Sequence, residues 1–154
     1  MKTGRLLPTA VAFALAGAIC GCGTSGPSRA DFAKRADALC AQANRSAPKK
    51  PPRTAKEAVR FTKAQIDDRT ALDAKLRKLS VPDGERTNFS AYNARTATMM
   101  GILRQQNVAA RRSDEGGYDR LQYRFATIAT QREKLAIKLG FRVCGRGTGG
   151  GGKK

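Results

Sequence analysis

Residues 89–110 read FSAYNARTATMMGILRQQNVAA, and residues 118–139 read YDRLQYRFATIATQREKLAIKL. In the first stretch Phe89, Tyr92, Thr96, Met99, Leu103, Gln106 and Ala110 follow one another at steps of three and four. In the second, Tyr118, Leu121, Phe125, Ile128, Arg132, Leu135 and Leu139 repeat the same rhythm. Steps of three and four put side chains on one face of an α-helix, so each stretch predicts a long helix with a seam for packing. Two such seams point to an all-α fold, a four-helix bundle. No segment alternates with the period of two that a strand requires.

Working outward, Thr54-x-x-Glu57 is a capping box that opens a second helix. Its stripe runs Val59, Thr62, Ile66, Arg69, Leu72, Leu76, Leu79 and stops before Pro82. Ser28-x-x-Asp31, a box with Asp in place of Glu, opens a first helix to about Asn44. The third begins near Asp83. The fourth is softened at its start by Gly116 and Gly117 and ends at Gly140, with Phe141 placed for a Schellman-type contact.

The chain has 154 residues and a formal net charge of +18, from 30 Lys+Arg against 12 Asp+Glu. That length suits one domain. With no His at all, the Ser-His-Asp and Cys-His nucleophile systems, His-bound zinc or haem and the Glu-x-x-His di-iron bundles are excluded. No cofactor and no metal is expected. From Cys22 onward only 21 residues are Leu, Ile, Val or Phe, a composition that leans toward disorder, but 20 Ala and the helical periodicity argue for a folded bundle.

Both ends read differently. Lys2 and Arg5 precede a mostly apolar run from Leu6 to Ile19, the proportions of a secretory signal. Ile19, Cys20, Gly21 and Cys22 resemble a bacterial lipobox, which predicts a lipoprotein signal peptide over 1–21 and lipid attachment (a palmitate-bearing diacyl anchor) at Cys22. Ala16-Gly17-Ala18 offers a rival cleavage that would release a soluble secreted protein. Residues 22–28 then form a tether, 29–144 the helical domain, and 145–154 a Gly- and Lys-rich tail expected to be disordered.

Cleavage before Cys22 leaves Cys40 and Cys144 as a pair in an oxidising compartment, so they are expected to form a disulfide. In a plain up-down-up-down bundle the ends of helices one and four lie at opposite ends, too far apart for a bond that tolerates about 4.4–6.8 Å between Cα atoms. The segment from Arg45 to Arg53, with Pro48, Pro51 and Pro52, spans about 28 Å if extended. It is expected to return the chain along the bundle, so that helix one runs roughly parallel to helix two.

Few residues promise chemistry. Asp67 and Asp68 are adjacent carboxylates about 100° apart on a helix, which reads as a solvated face. Met99-Met100 reads as core. Arg69 and Arg132 interrupt apolar stripes; they snorkel, pair with carboxylates, or flank a recessed anion site. The densest basic stretch is Arg45, Lys49, Lys50, Arg53, Lys56, Arg60 and Lys63, opposed only by Glu57. Outside the cytoplasm its partners are anionic lipid head groups, wall polymers bearing phosphate or carboxylate, or a partner protein. Nucleic acid is not expected, since an export signal precedes the domain and no aromatic residues interleave with the cluster.

Three elements carry a resemblance: Asp31-Phe32 with Ala36-Asp37-Ala38-Leu39-Cys40, then Leu79-Ser80-Val81-Pro82, then Leu139-Gly140-Phe141-Arg142-Val143-Cys144-Gly145. The chain resembles small actinobacterial lipoproteins and secreted proteins that carry two cysteines. The resemblance implies an extracytoplasmic helical domain with those cysteines paired, and brings no catalytic residue with it. The expected role is non-enzymatic: a lipid-anchored protein in contact with anionic envelope components or a partner protein. The alternatives are the soluble secreted form and an enzyme with an Asp or Tyr site. The enzyme needs two carboxylates about 5–10 Å apart in a pocket, and nothing in the sequence predicts them.

Overall fold

A computed structural model describes residues 26–145. The predicted signal peptide, Cys20, Cys22, the first part of the predicted tether and the chain from Arg146 onward lie outside the described residues. Within them the chain forms α1 (Arg29–Ser46), α2 (Ala55–Leu76), α3 (Arg86–Arg111) and α4 (Glu115–Lys138), with a 3₁₀ turn over Asp83–Glu85 leading into α3. No strand occurs among the described residues.

Helices α1, α2 and α4 begin where a side chain supplies a missing acceptor. Ser28 Oγ accepts from the Asp31 amide at 3.1 Å, and Thr54 Oγ1 from the Glu57 amide at 3.2 Å. The Glu57 carboxylate reaches back one residue further than a capping box requires, accepting from the Arg53 amide at 2.8 Å. Asp114 caps α4, accepting from the Gly117 amide at 2.8 Å. A Cβ at Gly117 would lie 2.1 Å from the Asp114 carboxylate, so the glycine admits the cap instead of softening the helix. At the other end of α4 the Phe141 amide donates to Ala136 O (2.9 Å) and the Gly140 amide to Ile137 O (3.0 Å), with Gly140 at φ +79°. That is the expected Schellman closure.

The start of α1 meets the end of α2 and the start of α3. Arg29 Nε pairs with Glu85 at 2.8 Å and its guanidinium also donates to the carbonyl of Lys138. Phe32, Phe89, Tyr92 and Phe141 close a ring of aromatic contacts with centroids 5.3–6.3 Å apart. Leu76, Leu139, Ala36 and Cys40 complete this core, and Leu72, Leu79 and Val81 pack against it. Further along, Ala47 and Pro48 lie by Gln65, and Pro52 and Thr54 by Ala110 and Asp114. Helix α1 therefore runs antiparallel to α2, and the bundle is up-down-up-down. This corrects the expectation of a parallel first helix. The proline segment carries the chain onward in the direction of α1.

The disulfide forms because both partners avoid the bundle ends. Cys40 sits two-thirds of the way along α1. After the reversal at Gly140 the chain climbs back along α4, so that Gly145, which the sequence reading assigned to the tail, is buried, and a Cβ added there would lie 3.3 Å from Ala136 Cβ. The Cα atoms of Cys40 and Cys144 stand 5.2 Å apart. One carboxylate holds the returning chain: Asp37 accepts from the amides of Arg142 (2.8 Å), Val143 (2.8 Å) and Cys144 (3.0 Å).

Helix α1 is too short to fill its corner. Its 18 residues span about 27 Å against about 39 Å for the 26 of α3. The disulfide half is a four-helix layer around the aromatic core. The far half has α2, α3 and α4 alone, with Pro51 and Pro52 along the vacant corner.

Candidate functional site

That corner is a cavity of about 390 Å³. Its floor is α3, through Met99, Leu103 and Gln106; one wall is α2, through Phe61, Gln65 and Arg69; the other is α4, through Phe125, Ala129 and Arg132. Met99, Leu103 and Gln106 are buried, whereas Phe61 and Phe125 are half-buried at the sides. Helix α3 packs between two neighbours and buries nearly its whole stripe. The stripe of α4 faces α3 along one side only, and Tyr118, Leu121, Phe125 and Ile128 remain half-buried.

Two guanidinium groups stand in this cavity. Arg132 is 8% exposed. Its Nε donates to Thr96 Oγ1 at 3.1 Å, one Nη donates to the Tyr92 hydroxyl, and its Cζ lies 4.5 Å from the Tyr92 ring centroid. These partners are neutral. Burial pushes the Tyr92 hydroxyl above its ordinary value of 10.0, against the pull of Arg132. The phenol therefore stays protonated at neutral pH and supplies no counter-charge. No ion pair to Arg132 forms among the described residues. Arg69 rests against the Phe125 ring, 5.4 Å from its centroid. Burial first, and the charge of Arg132 second, lower the Arg69 pKa from 12.5 to about 10.

A smaller chamber of about 40 Å³ lies on the α1 side of the same two arginines, lined by Cys40, Asn44, Gln65, Asp68, Leu72 and Cys144 among others. Asp68 thus faces the arginines from one side, and Glu133 borders the larger cavity from the other. Asp67 turns away to Lys63 at 2.6 Å, so the adjacent carboxylates diverge as their spacing on a helix requires. At the far end of the cavity Gln106 is 1% exposed, and its Nε2 has no hydrogen-bond partner among the described residues. Met99 and Met100 are both buried. Among the described residues no three His, Cys, Asp or Glu converge as metal ligands do.

The basic stretch is a second surface. Arg45 ends α1, Lys49, Lys50 and Arg53 lie on the connection, and Lys56, Arg60 and Lys63 fall within one face of α2 at steps of four and three. All seven are exposed. Lys63 pairs with Asp67 and Lys49 donates to the carbonyl of Asn44; among the described residues the other five make no ion pair. Lys50, Arg53 and Arg60 line a shallow concavity with Pro51, Pro52 and Phe61, the last three shared with the mouth of the large cavity.

The signal for the arginine pair was present in the sequence, as two charges on apolar stripes. The role of Asp37 was not: a half-exposed Asp beside a Cys carries no mark of three backbone amides about 105 residues away. Compared with protein-family models, curated proteins and solved structures, the chain matches none.

Proposed function

We propose that this protein is a lipid-anchored, extracytoplasmic helical domain with a non-enzymatic role, in contact with anionic envelope components through its basic edge. The observation that carries the reading is the run of seven exposed cations from Arg45 to Lys63, with one ion pair among them. Exposed cations at this density attract phosphate- or carboxylate-rich surfaces, and the attraction is screened by salt over about 10 Å at 0.1 M. The pairing of Cys40 with Cys144 supports an oxidising compartment. The lipobox-like residues ending in Cys22 support the anchor. No helix among the described residues is long and apolar enough to cross a membrane.

The test has two parts. Intact mass of the protein from its own membranes should correspond to a chain starting at Cys22 with added diacylglycerol. An unmodified chain starting at Ile19 in the medium would overturn the anchor in favour of a secreted protein. Unlipidated domain should sediment with anionic vesicles at low salt and be released by 0.5 M salt. Replacing Lys49, Lys50, Arg53 and Lys56 by Glu should abolish that binding. Binding that survives both changes refutes the basic-edge reading.

A further inference from the structure

We propose that the cavity between α2, α3 and α4 is a saccharide site, taking two uncharged rings of a glycan whose phosphate or carboxylate groups rest on Lys50, Arg53 and Arg60. The charged half of this assignment rests on the basic edge being the contact for anionic envelope components; the cavity half stands without it.

The lining selects its ligand by what it donates and accepts. Gln65, Gln106 and Gln122 each bring an amide NH₂ beside a carbonyl oxygen, Thr130 brings a hydroxyl, and Glu133 brings acceptors alone. Arg132 brings donors alone, of which Thr96 and Tyr92 take two. Arg69 is already engaged, resting on Phe125, and has no part in the argument for a ligand. An anion cannot donate to Glu133, and an ammonium cannot accept from Arg132 or Gln106. A ring hydroxyl does both. The buried end of the cavity has the sharpest requirement. Gln106 is 1% exposed, and its Nε2 is without a partner among the described residues. A buried donor left in that state costs about 1–3 kcal/mol. A hydroxyl oxygen entering the cavity satisfies it.

Size and the apolar part of the lining agree. A sugar ring has a face of C–H groups as well as a rim of hydroxyls. Met99, Leu103 and the half-buried ring of Phe61 give that face an apolar floor and edge. From Met99 to Gln106 is seven residues of α3, about 10 Å, which accommodates two linked rings. The volume of about 390 Å³ falls in the range of roughly 300–1,000 Å³ typical of small-molecule sites. Pro51, Pro52 and Phe61 also border the concavity that holds Lys50, Arg53 and Arg60. A glycan leaving the cavity on that side passes over three exposed cations.

NMR titration of the purified protein with maltose, cellobiose, trehalose and N,N′-diacetylchitobiose tests the cavity through the side-chain amide signals of Gln65, Gln106 and Gln122. At least one disaccharide should shift all three and saturate at one per chain. Gln106→Leu removes the unpartnered donor, and should weaken that disaccharide ten-fold or more without lowering the melting temperature. Ala129→Phe narrows the cavity, and should abolish disaccharide binding while vesicle binding through the basic edge is unchanged. The same disaccharide carrying a 6′-phosphate or a 6′-carboxylate should bind ten-fold or more tighter at low salt, and the tighter of the two identifies the substituent. Changing Lys50, Arg53 and Arg60 together to Ser should remove that gain alone. Disaccharide binding with no gain from charge overturns the charged half and keeps the cavity. No shift from any of the four sugars, or shifts matched by tetraglycine, overturns the saccharide site whatever the vesicles do.

Discussion

Ser113 occupies the left-handed region at φ +52°, the one non-glycine residue with positive φ among those described. It stands in the three-residue turn between α3 and α4, where Arg112 and Ser113 donate to carbonyls of the last turn of α3 and Asp114 caps the next helix. A Cβ in that region crowds the following carbonyl, at a cost of about 1–2 kcal/mol. Glycine removes the crowding but adds entropy to the unfolded chain. Ser113→Gly should therefore stabilise the protein by about 0.5 kcal/mol, read as a higher midpoint in urea with an unchanged slope. A lower midpoint would mean that the serine side chain contributes more than its backbone costs. The arginines belong to this scale too. Each looked anomalous on its stripe for a physical reason, since a charge at a seam position is either paired or placed beside a space. The stripe alone does not say which.

At the scale of elements, the segment after α4 does more than end a helix. Gly140 reverses it, Phe141 inserts between Phe32 and Tyr92, and the Asp37 carboxylate gathers three successive amides beyond the turn. Charge-assisted bonds of this kind to a partly exposed carboxylate are together worth about 2 kcal/mol. Asp37→Ala should lower the melting temperature by several degrees, and Asp37→Asn by less, since the amide oxygen still accepts. An equal loss in both variants would show that the negative charge, not the acceptor geometry, holds the segment. The phases of α2, α3 and α4 were legible because periodicity is local. The Schellman closure was also legible, from Gly140 and Phe141. The reversed direction of the following five residues was not, because it depends on a carboxylate contributed by α1.

Across the whole molecule, the core is concentrated at one end. The aromatic ring, the disulfide and the buried face of α1 all lie in the same half, and the other half is a three-helix layer around a cavity. The Cys40–Cys144 bond closes a separation of 104 residues, worth about 4.7 kcal/mol in the chain-entropy treatment of a loop of roughly 100 residues. Reduction should lower the melting temperature by more than 10 °C, given a shift of several degrees per kcal/mol for a domain this size. An unchanged melt would place the stability in the aromatic ring alone.

Helix number, the phase of α2 to α4, the caps at Ser28 and Thr54, the basic run and the availability of Cys40 and Cys144 for one bond are readable from residue order, because each depends chiefly on near neighbours. The antiparallel course of α1, the route by which the cysteines meet and the vacancy at the fourth corner are decided only in three dimensions. They follow from the length of α1 relative to α3 and from contacts between its residues and the last five described. A proline segment of given reach is equally able to lead a chain onward or back. The packing of Phe32 against Phe89 and Phe141 selects the direction.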